Sequence, residues 1–193
     1  MLDFGLISSE VPKQFLVPNM LLIAGAGQNV GKTSFAVAAI YYLKSLGYKV
    51  YGLKITPHFH DVSLPYLIIK NDNFQISLEK DKSGIKDSSR MLNAGADEVF
   101  FVQTKTDDAI SFAFDFVNRM ANDNIVWICE SGGLRNFVKP GLFLYFKLKG
   151  ENPQKKSAKQ LMPLADRIVE FDGEDFDFEV EKIMIVDNKF KIA

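Results

Sequence analysis

The stretch AGAGQNVGKTS, residues 24–34, constrains the fold of this chain more than any other. It follows the apolar run Met20-Leu21-Leu22-Ile23 and precedes a largely apolar segment running to Leu46. That order reads as strand, glycine loop, helix. Ala26-x4-Gly31-Lys32-Thr33 has the spacing of a phosphate-binding loop, with Ala26 in place of the usual first glycine and Gly25 and Gly27 beside it. The spacing has a physical reason. Such a loop wraps a phosphate with inward-pointing backbone N–H groups. Glycine permits the positive φ values and close approach this needs. The helix that follows turns its unpaired N–H groups and positive dipole end toward the anion. Gly27, Gln28, Asn29, Val30, Gly31, Lys32, Thr33 and Ser34 are therefore the candidate phosphate-binding residues. Lys32 suits the β/γ oxygens, and the Thr33 hydroxyl suits Mg²⁺, which takes few protein oxygens and keeps several waters.

The rest of the chain alternates strand and helix patterns. Residues 20–24 read as a strand, 32–46 as a mostly buried helix stopped by Gly47, and 48–55 as a second strand. Residues 65–80 read as a hairpin turning at Asn71-Asp72-Asn73. A helix is expected over 86–94, capped by Asp87 or Ser88, then a strand over 97–102. Thr106 can cap a helix to about residue 121, with Asp107 and Asp108 in its first turn. IVWIC, residues 125–129, is apolar at every position, as in a central parallel strand. Strand 141–147, helix 156–164 and strand 166–171 follow, and a final hairpin closes the stretch 179–193. These patterns predict a single α/β domain over 1–193, with three layers around a mostly parallel sheet.

Three further segments carry chemistry. Glu130 follows the apolar strand, where a carboxylate faces the ligand crevice of an α/β sheet. It can hold Mg²⁺ or orient a nucleophile, and Ser131-Gly132-Gly133 then turns the chain. Lys54 ends the second strand at the same sheet edge, followed by His58, His60 and Asp61 in a loop. Lys32, Lys54 and Glu130 are the catalytic candidates; Thr33, Glu130 and Asp61 are the metal candidates. Lys86, Asp87, Ser88 and Arg90 either belong to a capped helix or line the substrate edge. Cys129 reads as a small buried apolar residue. Lys155 and Lys156 read as a solvated helix start in preference to a lid touching phosphates, and Asn152 as part of a polar turn in preference to a purine contact.

Composition excludes some partners. The chain has 193 residues, 47% of them hydrophobic, and a formal net charge of -1. No global field draws it to nucleic acid or to an anionic membrane. No apolar run approaches the ~20 residues that span a bilayer. The first residues lack a signal-peptide core, and one cysteine forms no intrachain disulfide, so a cytoplasmic setting is expected.

The order phosphate loop, LKITPHFHD, KDSSRMLNAGADEV and ICESGG resembles the molybdopterin-guanine dinucleotide biosynthesis adaptor proteins, often called MobB. The resemblance covers about residues 20–135. It implies a P-loop NTPase that binds ATP or GTP with Mg²⁺, turns over slowly, forms a homodimer and serves molybdenum cofactor maturation. It carries Gly31, Lys32 and Thr33 over as phosphate and Mg²⁺ contacts and Glu130 as the acid of the second motif. Ser131 replaces that family's glycine after the acid, and the stretch from 136 onward has no aligned counterpart.

The loop together with ESGGL also looks like dethiobiotin synthetase and the cobyrinic acid amide synthases. That resemblance implies an ATP-dependent ligase acting on a small carboxylic acid, with Lys54 steadying the developing anion. A small-molecule kinase is a third reading. It would need an arginine lid, and Arg135 is its one plausibly placed arginine.

Overall fold

The computed structural model describes residues 14–59, 65–122 and 124–193. The chain enters through β1 (Phe15–Gly25), passes the glycine loop into α1 (Lys32–Ser45) and returns through β2 (Val50–Thr56). A hairpin, β3 (Leu67–Lys70) and β4 (Phe74–Leu78), precedes α2 (Asp87–Asn93) and β5 (Glu98–Thr104). Helix α3 (Asp107–Met120) leads to β6 (Val126–Ser131) and β7 (Val138–Leu148). Then come α4 (Lys156–Leu161), β8 (Arg167–Phe171) and a separate hairpin, β9 (Ile183–Val186) with β10 (Lys189–Ile192).

Eight strands form one sheet in the order β3-β4-β5-β2-β6-β1-β7-β8. From β5 to β8 every neighbour pairs parallel, and the β3-β4 hairpin is the antiparallel edge. The fold is α/β with a mostly parallel central sheet, as its alternating pattern predicts.

Side-chain alternation builds the layers. Residues two apart on a strand share a face. Leu21 and Ile23 of β1 and Val126 and Ile128 of β6 join the apolar stripe of α1 (Phe35, Ala36, Ala39, Ile40, Leu43) and Met91 of α2. Met20, Leu22, Trp127 and Cys129 turn to the opposite face, against Ile110, Ala113, Phe114 and Val117 of α3 and Leu161 of α4. β6 lies between β2 and β1 and is buried at every position, which is why its run IVWIC carries no polar alternation. The β9-β10 hairpin covers the α1 face through Ile183 and Phe190.

Local chemistry sets several boundaries. Asn71 Oδ1 accepts from the N–H of Asn73 and of Phe74, both at 2.9 Å, and closes the β3-β4 turn. Asp187 and Asn188 both take positive φ, 52° and 56°, as a two-residue hairpin turn requires. The Thr106 hydroxyl accepts from Ala109 N–H at 3.3 Å and caps α3.

Helix α2 departs from expectation. Its N-cap is Lys86, no side chain caps it, and Asp87 is its first helical residue. Ser88 instead donates to Glu79 Oε2 at 2.7 Å. Strand β7 begins earlier than expected, at Val138, and runs through Pro140 and Gly141. β1 shifts register between Val17 and Leu21, and Pro18 bulges toward Gly141. A Cβ on Gly141 would sit 1.9 Å from the Pro18 carbonyl oxygen, so only glycine fits.

Candidate functional site: a lysine-carboxylate cluster beside a glycine loop

The site lies at the carboxyl ends of the parallel strands, where α/β sheets take their ligands. β1 delivers the chain to the loop, and β6 and β2 flank it on one side. Registers put Glu130 level with Ile23 of β1 and with Lys54 of β2. Ile23 faces α1, so Glu130 and Lys54 face it too. There they meet the first turns of α1 and α2, which present Thr33 and Asp87.

The contacts are short. Thr33 Oγ1 donates to Glu130 Oε2 at 2.8 Å. Lys54 Nζ donates to Glu130 Oε1 at 2.7 Å and lies 2.6 Å from Asp87 Oδ2. Glu130 is 2% exposed. Holding a buried carboxylate without a partner costs several kcal/mol, so the ammonium and the hydroxyl are what permit it there. Burial alone would lower the Lys54 pKa, but Glu130 and Asp87 outweigh it and raise the value. Burial would raise the Asp87 carboxyl, and Lys54 with Thr33 and Arg90 more than offsets this and lowers it. Lys32 is held below the ordinary lysine value by burial, against the pull of Glu130 and with the push of Lys54.

The loop has the backbone such a site needs. Asn29 and Gly31 take φ of 59° and 81°, and Gly31 is the N-cap of α1. Positive φ comes cheaply only to glycine and, less so, to asparagine. Lys32 Nζ donates to the Gly27 carbonyl and so bridges the loop. A Cβ on Gly25 would sit 2.7 Å from the Phe146 carbonyl oxygen, which fixes that position as glycine where β7 passes.

A cleft of about 980 Å³ opens over this loop. Gly27, Gln28, Asn29, Gly31, Lys32, Thr33 and Ser34 line it, with Lys54 and Glu130. Val30 does not. Its side chain is buried in the core under α1, so only its backbone belongs to the loop. His58 lines the cleft, its carbonyl held by Gln103 Nε2 at 2.8 Å. His60 and Asp61 lie outside the described residues. Among the described residues no three His, Cys, Asp or Glu side chains gather as a metal cage.

Asp87 and Arg90 belong to the site: both line the cleft, and Arg90 Nη2 donates to Ser34 Oγ at 3.3 Å. Lys155 also lines it, with Ser157 and Phe171 on the β7-β8 side. Arg135 is no lid. It packs over the Phe143 ring and donates to the Val138 carbonyl, away from the cleft. The turn after Glu130 is fixed: Ser131 is buried in β6, and its Oγ accepts from the N–H of Gly133 and of Leu134. Cys129 is fully buried, and burial pushes its thiol well above the usual range, so it is no nucleophile at neutral pH. The sequence signals for Asp87 and Arg90 were present in KDSSR; Ser157 and Phe171 carry none.

No protein-family model matches the chain, and no curated protein or solved structure matches it.

The arrangement offers a glycine loop for phosphate oxygens and a hydroxyl-carboxylate pair for a hard cation. A paired ammonium, Lys54, stands beside that pair. Divalent magnesium takes one or two protein oxygens and completes its shell with phosphate and water. Thr33 Oγ1 and Glu130 Oε2, 2.8 Å apart at the mouth of the loop, fit that donor set.

Proposed function

We propose that this chain binds a nucleoside triphosphate, ATP or GTP, with Mg²⁺ in the cleft over residues 25–34 and hydrolyses it slowly. The observation that carries the reading is the junction of Thr33, Glu130 and Lys54 beside the Gly31-Lys32 turn. Lys32 and the loop amides take the β/γ oxygens, Thr33 and Glu130 hold the cation, and Lys54 steadies charge on the transferred phosphoryl group. Catalysis of this kind is positioning and electrostatic stabilisation. The cation supplies neutralisation of the phosphate oxygens when bound.

Within that reading, a nucleotide-dependent adaptor of the molybdenum cofactor type, acting as a homodimer, is the finer proposal. It rests on the motif order that resembles those adaptors. A ligase of the dethiobiotin synthetase type is the second reading. It is favoured by Lys54, Arg90 and His58 lining the same cleft as the glycine loop, which offers cations to a small carboxylic acid beside the phosphates.

Calorimetric titration of the protein with MgATP, MgGTP and inorganic tripolyphosphate tests the core proposal. Micromolar, Mg²⁺-dependent binding supports it, and no binding of any of them overturns it. ADP release that rises sharply with one small acid favours the ligase. Flat turnover with molybdopterin binding favours the adaptor.

A further inference from the structure

The cleft extends well beyond the acid-lysine cluster. Glu130, Lys54 and Asp87 stand on the β2-β6 side of the loop. On the other side, beyond β1, the wall is made by the segment after β7 and by the end of β8, with Lys155, Ser157 and Phe171 facing the cleft. The aromatic part of that wall is well supported. Phe171 and Phe176 lie with ring centroids 4.9 Å apart and planes inclined by 30°. Phe176 in turn sits edge-on to Phe35 at 5.3 Å and to Phe146 at 5.9 Å, both core rings. The backbone on either side is tied down. Phe171 O accepts from Lys149 N–H at 2.9 Å, and Asp172 Oδ1 accepts from Glu174 and Asp175 N–H. Both rings press on the loop itself: a Cβ on Gly31 would lie 2.5 Å from Phe176 and 3.1 Å from Phe171.

Resting on the function proposed above, we propose that Phe171 is the stacking platform for the nucleoside base. The direction of the ligand follows from the site. Thr33 and Glu130 mark the terminal-phosphate end, on the β6 side. A triphosphate laid across the loop therefore points its nucleoside toward β7 and β8, where Phe171 stands. A half-buried ring backed by a second ring offers a rigid apolar face at little entropic cost. Base-aromatic stacking contributes enough to change affinity about tenfold and serves any base, since each has a π-face. Lys155 and Ser157 supply polar contacts for the sugar and the α-phosphate on the same side. The platform is built by the segment from Phe171 to Phe176, part of the chain that follows the motif-bearing residues 24–135.

Tripolyphosphate separates this proposal from the function it rests on, because it engages the loop and has no base. The wild-type protein is expected to bind MgATP and MgGTP about tenfold more tightly than Mg-tripolyphosphate. Phe171→Leu should remove that advantage for both nucleotides and leave tripolyphosphate affinity unchanged. Phe171→Trp should give an emission quenched by ATP and not by tripolyphosphate, over the constant signal of the fully buried Trp127. Equal wild-type affinity for nucleotide and tripolyphosphate overturns the platform and leaves the phosphate site standing. So does a Phe171→Leu loss shared by tripolyphosphate, which would make Phe171 a support of the loop. Binding of neither ligand by the wild type overturns the nucleotide site itself.

Discussion

The Thr33 hydroxyl donates to Glu130 Oε2 at 2.8 Å, joining the first turn of α1 to the end of the central strand. Glu130 also accepts from Lys54 through its other oxygen, so one buried carboxylate ties together three elements. Replacing Glu130 with Gln keeps the shape and removes the charge. Thermal unfolding should show a loss of about 1–3 kcal/mol, since a hydrogen bond to a charged group becomes a neutral one. Mg²⁺-dependent turnover should fall by at least tenfold while metal-free nucleotide binding persists. Turnover equal to wild type would remove Glu130 from the proposed chemistry.

Lys32 donates to the Gly27 carbonyl and lines the cleft. In Lys32→Ala the loop loses that bridge and the site loses a charge. Triphosphate affinity should drop by about 1.5–3 kcal/mol, the range for a hydrogen bond made to a charged group. A fluorescent-nucleotide titration reads this, with circular dichroism confirming the fold. Retained affinity would contradict the assignment.

Two loop glycines should answer differently to alanine. Gly31 has φ 81°, and its Cβ would lie 2.5 Å from the Phe176 ring. Left-handed backbone alone costs an alanine about 1–2 kcal/mol, and the ring must also move. Gly27 has nothing within 4 Å of its Cβ position. Denaturant melts should show Gly31→Ala destabilised by at least 2 kcal/mol or so, and Gly27→Ala within about 0.5 kcal/mol of wild type. Equal effects would contradict both the left-handed strain at Gly31 and its contact with Phe176.

Asp87 gives the site an acid limit. Its carboxyl is held below the ordinary 3.8, because Lys54 with Thr33 and Arg90 outweighs burial. A depressed carboxylate stabilises the fold above its unfolded value and loses that contribution as pH falls through its folded value. Asp87→Asn should therefore be less stable than wild type at pH 7, and the difference should begin to shrink only as pH falls below the ordinary 3.8. Lys54, raised above 10.5, behaves in the opposite sense: its contribution is complete below 10.5 and fades only at higher pH. Urea melts across pH would show both trends. A difference that does not shrink at all as pH falls below 3.8 would deny the ion pair.

Much of the fold can be read where local chemistry and global packing agree. The uninterrupted run IVWIC could only be an interior strand, and it sits between β2 and β1. Asn71, Thr106 and the Asp187-Asn188 pair each satisfy backbone groups within a few residues, so their turns and caps stand in the chain itself. The failures come where a distant partner outcompetes a near one. Asp87 would cap α2 in isolation; Lys54 draws its carboxylate into the cleft instead. Pro140 and Gly141 look like strand breakers, yet a bulge at Pro18 accommodates both. Arg135 stood in the right stretch for a lid and packs over the Phe143 ring instead. Phe171 and Phe176 resemble any other pair of aromatic residues until the sheet order brings β8 beside β7. The loop was legible from its glycine spacing, Lys54 and Glu130 from their places at the ends of apolar strands, and Asp87 and Arg90 only in part.

Gly31 rests against a ring that the ribosome adds much later. While the chain is being made, residues 25–34 can emerge and α1 can form, but Phe176 is still to come. The nascent protein thus holds its glycine turn without a buttress until translation has passed residue 176. Any truncation upstream of that point should release a polypeptide with the glycine motif intact and the Phe176 ring missing from behind Gly31.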